Sequence, residues 1–156
     1  MNLYFLTEDS GAGKLAYKSW IQHLFPHLTE AQAISAVEKN HYFLLAGNGY
    51  PSYLNRICAA LQDIQDYGNI DHFFICVDTE ELSLKEKFEE VQEVLKRSPA
   101  FENTHVILQN CCIETWFLGH SAMLNAEPRS QTLRTYRDFY DVQRERPRSN
   151  GCIRNI

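Results

Sequence analysis

The apolar pattern of this chain switches repeatedly between short continuous runs and helical periodicity, and that alternation limits the fold more than any single residue does. NLYFLTE (2–8), HYFLLAG (41–47), NIDHFFICVD (69–78) and THVILQN (104–110) are runs of strand length. Each precedes a segment of helical character. AGKLAYKSWIQHLF places Leu15, Trp20, Ile21, Leu24 and Phe25 on one face, closed by Pro26. Gly47 and Gly49 stop the second run, and Pro51 opens a helix through Tyr67 with Leu54, Ile57, Cys58, Leu61 and Ile64 in register. Residues 83–97 read as an amphipathic helix with Leu84, Phe88, Val91 and Leu95 inward, and Ser83 with Glu86 forms a capping-box pattern. A fourth helix is expected from about Ile113 to His120. Four β-then-α units predict an α/β fold, a parallel sheet of about four strands with helices on both faces.

With 156 residues the chain is long enough for one ordinary core. The α/β domain is expected over 1–125, followed by a polar, Arg-rich extension over 126–156. No apolar run reaches the ~18 residues of a membrane span, and MNLYFLTEDS has neither a basic nor a long apolar leader region. A cytoplasmic location and no membrane partner are therefore expected. The 5 cysteines are odd in number and lack C-x-x-C spacing, which disfavours both a disulfide framework and a zinc knuckle. A net charge of −5 counts against a broad basic surface for nucleic acid. The positive charge instead gathers between Arg129 and Arg154, where seven arginines stand against three acids.

FLTEDSGAGKLAYKSW (5–20) opens like a phosphate-binding loop, which requires G-x-x-x-x-G-K-[ST]. Aligned on Gly13-Lys14, Glu8 replaces the first glycine and Leu15 replaces the hydroxyl. An acid in an amide nest repels phosphate, so Glu8, not the glycine turn, is expected to carry the chemistry. Acids also end the other strands. Asp78, Glu80 and Glu81 follow the third run, and Glu114 follows the fourth. Parallel strands lie about 4.8 Å apart, so carboxylates at neighbouring strand ends can share a hard cation, Mg²⁺ or Mn²⁺. Singly, each acid is equally an ordinary helix cap or dipole partner.

LYFLTED with Glu8, FFICVDTEE with Asp78-x-Glu80, and CIETWFLGH with Glu114 together resemble the topoisomerase/primase (TOPRIM) fold, a Rossmann-like arrangement. Within it they resemble the nuclease-like branch that includes the overcoming-lysogenisation-defect family. The resemblance covers roughly residues 2–120, with Glu80 standing where that family has a second aspartate. It implies a metal-dependent nuclease that cleaves phosphodiester bonds in DNA or RNA, works with an ATPase or other protein partner, and belongs to phage defence. By the same resemblance Asp78 and Glu80 bind the metal, Glu8 is a ligand or general acid/base, and Glu114 serves a second ion. The rival expectations are a catalytically silent TOPRIM-like or flavodoxin-like interaction module, and a nucleotide-binding protein using Gly11-Ala12-Gly13.

Other residues read more simply. Lys14 and Lys85 stand beside the acids but suit exposed helix positions. His23 and His27 are separated by Pro26, and His72, His105 and His120 suit packing or capping. Cys111 and Cys112 suit burial, as do Trp20, Trp116 and Phe117. Tyr136, Phe139 and Tyr140, interleaved with Arg134 and Arg137, suit either base stacking or docking on the core.

Overall fold

The computed structural model of the protein describes residues 1–113 together with Gln131 and Arg134. The expected strands form at Leu3–Thr7 (β1), His41–Ala46 (β3), His72–Asp78 (β4) and Thr104–Gln109 (β5). The expected helices form at Ala12–Leu24 (α1), Ser52–Tyr67 (α2) and Leu84–Leu95 (α3). A fifth strand, Thr29–Ala31 (β2), pairs with β3 at the sheet edge. Its three residues are too few for a periodic pattern, which explains why the sequence does not announce it. All strand pairs are parallel, in the order β2-β3-β1-β4-β5.

Side chains of a strand alternate between faces, and the two cores follow that alternation. Tyr4, Leu6, Phe73, Ile75 and Val77 pack with Ile57, Leu61 and Ile64 of α2 and Val91 of α3. Leu3, Phe5, Leu44 and Cys76 pack on the opposite face with Ala16, Tyr17 and Ile21 of α1. The chain thus runs outward from β1 over one face and returns across it over the other, as right-handed crossovers demand. The loops after β1 and after its neighbours leave toward opposite faces, and this opens a crevice at the carboxyl end of the sheet.

Two helices turn differently from their apolar pattern. In α1, Leu15 and Leu24 are each 65% exposed, while Gly13, Ala16, Tyr17 and Ile21 face the sheet. In α3, Leu84 and Phe88 are 51% and 45% exposed, and Lys87 takes the inward place beside Val91. The capping box forms as expected: Glu86 N–H donates to Ser83 Oγ at 3.2 Å, and Ser83 N–H donates to Glu86 Oε2 at 2.8 Å. Replacing Ser83 with Ala should cost roughly 0.5–2 kcal/mol, read as a lowered urea midpoint at an unchanged slope.

Candidate carboxylate cleft

β1 ends on Thr7, and its ladder runs one residue further, because Glu8 N–H donates to Cys76 O at 3.1 Å. Glu8 therefore sits at a defined height above the sheet. Alternation aims it toward the α2/α3 side, whereas Asp78 and Gln109, paired in register on β4 and β5, continue the series that faces α1. The two sides meet where Asp78 N–H donates to Glu8 Oε2 at 3.0 Å. Glu80 follows in a tight turn with φ 51°, a left-handed conformation that a non-glycine residue keeps only where its surroundings hold it. Those surroundings are a set of short hydrogen bonds between the ends of β4 and β5. Thr79 N–H donates to Gln109 O (2.9 Å), Glu80 N–H to Cys111 O (2.8 Å) and Cys111 N–H to Thr79 Oγ1 (2.8 Å).

The result is a cleft of about 220 Å³ with Glu8, Asp9, Asp78, Glu80, Gln109 and Tyr50 among its walls. Burial is the main reason that the Glu8 carboxyl is held above the usual carboxylate range; the Asp78 N–H and Lys87 oppose the shift, and Glu80 and Asp9 add to it. Acids gathered with limited water favour either protons or a cation. Among the described residues, no three His, Cys, Asp or Glu side chains form a metal-binding group. Mg²⁺, however, keeps several waters and needs only one or two carboxylates. The carboxylate oxygens of Glu8, Asp78 and Glu80 in that wall fit a hydrated ion of that kind.

Of the residues expected to form a site, Glu8, Asp78 and Glu80 come together in this cleft, while Glu114 lies outside the described residues. So do Cys152, Trp116, Phe117, His120 and the Arg- and Tyr-rich stretch apart from Arg134. Lys14 and Lys85 are not among the described residues lining the cleft, and Lys85 lies exposed, 3.8 Å from Glu89. The Gly11-Ala12-Gly13 turn forms the start of α1 with the Asp9 carboxylate against it. A Cβ built on Gly13 would stand 2.9 Å from Asp9 Oδ1. A carboxylate that close to the start of α1 opposes the binding of a phosphate there.

The sequence pattern did not mark the supporting residues Lys87, Tyr53, Gln109 and Tyr17. Lys87 Nζ lies 3.1 Å from Glu90 Oε2 and donates to Tyr53 Oη at 3.0 Å, next to the rings of Tyr50 and Tyr53. On the other side Gln109 Nε2 donates to Tyr17 Oη, and burial pushes the Cys76 thiol up to about 12. An inward lysine on α3 flanked by acids was the one available signal. No match was found when the chain was compared with protein-family models, curated proteins and solved structures.

Proposed function

We propose that the protein is a metal-dependent phosphodiesterase acting on nucleic acid, with the carboxylate cleft as its active site. The observation that carries this reading is the delivery of Glu8, Asp78 and Glu80 from two separate strand ends into one crevice, at the place where ligands bind in open parallel sheets. Asp78 and Glu80 would hold Mg²⁺ or Mn²⁺, with Glu114 available by sequence for a second ion. When bound, such an ion supplies Lewis acidity and lowers the pKa of water. Glu8, desolvated and therefore more basic than an exposed carboxylate, takes the proton from the attacking water. Its bond from the Asp78 N–H keeps one carboxylate oxygen fixed, so the geometry does not have to be reassembled in each turnover. An acidic surface holds a polyanion poorly, and this supports an ATPase or other protein partner that presents the strand.

The reading is tested with single-stranded and duplex oligonucleotides in Mn²⁺. Cleavage is expected, and Asp78→Asn should reduce it by more than the ~10–100-fold that follows loss of an outer-sphere partner. Calorimetry should show Mn²⁺ binding that weakens in Glu8→Gln. Absence of both cleavage and Mn²⁺ binding would leave the interaction-module reading standing.

A further inference from the structure

Two aromatic residues stand among the described residues lining the cleft, and they differ in kind: Tyr17 is buried, whereas Tyr50 is 60% exposed. The Tyr50 ring is held in place. Asn48 and Gly49 are both left-handed, at φ 66° and 76°, and turn the chain sharply into Tyr50; a non-glycine residue keeps that conformation only where its surroundings hold it. Gly49 N–H donates to Glu8 O at 2.8 Å, and Gly49 O accepts from Tyr53 N–H at 3.0 Å, so the backbone beside Tyr50 is tied to the strand end that carries Glu8. Lys87 Nζ stands over the ring, 5.5 Å from its centroid, and the Tyr53 ring lies 6.2 Å away centre to centre. Lys87 and Tyr53 are 3% and 0% exposed. They therefore cover the inner face of Tyr50, and its accessible area belongs to the outer face and edge.

A fixed aromatic ring with one face backed and the other open is a stacking surface, and any base can use it because every base has a π-face. A cation behind the ring holds it without reaching the ligand. The rest of the cleft says which part of a ligand meets that face. Glu8, Asp78 and Glu80 are less exposed than Tyr50, so an ion and the phosphate it binds belong deeper, and a ring at the mouth meets the base that leads away from that phosphate. We propose that Tyr50 stacks on the nucleobase next to the scissile phosphate, which makes the cleft a site for single strands and unpaired ends. This proposal rests on the phosphodiesterase reading and names its substrate class. Within a continuous duplex both faces of a base are covered by its neighbours, and extruding the base costs a few kcal/mol, so a ring fixed at the surface gains nothing there.

Three fluorescein-labelled probes test the assignment on the full chain, in Ca²⁺ with strand integrity checked on a gel: a single-stranded DNA, a strand of the same length made of abasic sugar-phosphate, and the blunt duplex of the first with its ends closed by hairpin loops of abasic sugars. The intact single strand should bind more tightly than the abasic strand by roughly 5–150-fold, the factor equivalent to about 1–3 kcal/mol for one stacked base. Tyr50→Ala should close that gap by weakening the intact strand alone, leaving the abasic strand and the duplex unchanged, and Tyr50→Trp should keep it. Should Tyr50→Ala fail to fold because Lys87 is uncovered, Tyr50→Leu decides, since it still covers the ammonium but offers no π-face. Equal affinity of the wild type for the intact and abasic strands, a gap untouched by the Ala and Leu variants, or an equal loss on all three probes overturns the proposal alone. Failure to bind any probe overturns the phosphodiesterase reading along with it.

Discussion

Gly47→Ala will destabilise the protein by at least about 3 kcal/mol, the upper end of what overpacking costs. Gly47 follows β3, where the chain turns into α2, and it is buried. A Cβ there would lie 2.4 Å from Tyr53 Cβ, 3.0 Å from Tyr53 Cα and 3.1 Å from the Glu8 carbonyl oxygen. Two of these three neighbours are backbone, and Tyr53 is fully buried, so no flexible side chain is available to give way. The β3–α2 turn must move as a unit. That motion strains the bonds by which Gly47 N–H reaches Thr7 O (2.7 Å) and Gly49 N–H reaches Glu8 O (2.8 Å). A large fall in the urea midpoint is expected. Gly13→Ala provides the contrast, since its closest neighbour is the end of the exposed Asp9 side chain, which can swing aside. A Gly47→Ala protein as stable as the wild type would mean that the α2 start is not packed as described.

The second large effect is expected from Lys87→Met. The Lys87 side chain is 4% exposed and paired with Glu90, which is 22% exposed. Removing one partner of an enclosed pair costs ~3–5 kcal/mol; because Glu90 retains some water, roughly 2–4 kcal/mol is expected here. The loss should depend on pH in a defined direction. Burial raises the Glu8 carboxyl and Lys87 opposes that rise, so the variant's Glu8 moves further up. A carboxyl raised in the folded state contributes stability that is complete below its unfolded pKa, about 4.3, and is lost as pH climbs through the folded value. The gap between Lys87→Met and wild type should therefore widen from about pH 4 toward neutrality. Urea titrations at a series of pH values measure it, and a gap that narrows over that range would remove Lys87 from the electrostatics of Glu8.

Much of the architecture was legible because it depends on local period. Runs such as FFICV and the 3.6-residue repeat of α2 report burial directly, and the order of the elements left a parallel sheet as the economical arrangement. The acids at the ends of β1 and β4 were legible for the same reason, since the end of an apolar run marks the end of a strand. The faces of α1 and α3 were not. An apolar side chain states a preference for burial, not a guarantee of it, and Leu15, Leu24, Leu84 and Phe88 lost the inward position to Tyr17 and Lys87.

Those outcomes needed partners remote in sequence. Lys87 can turn inward only because Tyr53 and Glu90 satisfy its ammonium. Asn2 offers another case: its side chain donates to the carbonyls of Glu38 and Asn69 and accepts from His41 N–H, joining the amino ends of three strands through a single amide. Gln109 carries no charge and breaks no period, and only the fold shows it buried against the Tyr17 hydroxyl. By itself the sequence determined the four longer strands, the helices that follow the first three of them and which acids end β1 and β4, because burial and period act over a few residues. Tertiary structure alone decided which polar groups were buried, because desolvation is tolerated only where another part of the chain supplies the missing charge or hydrogen bond.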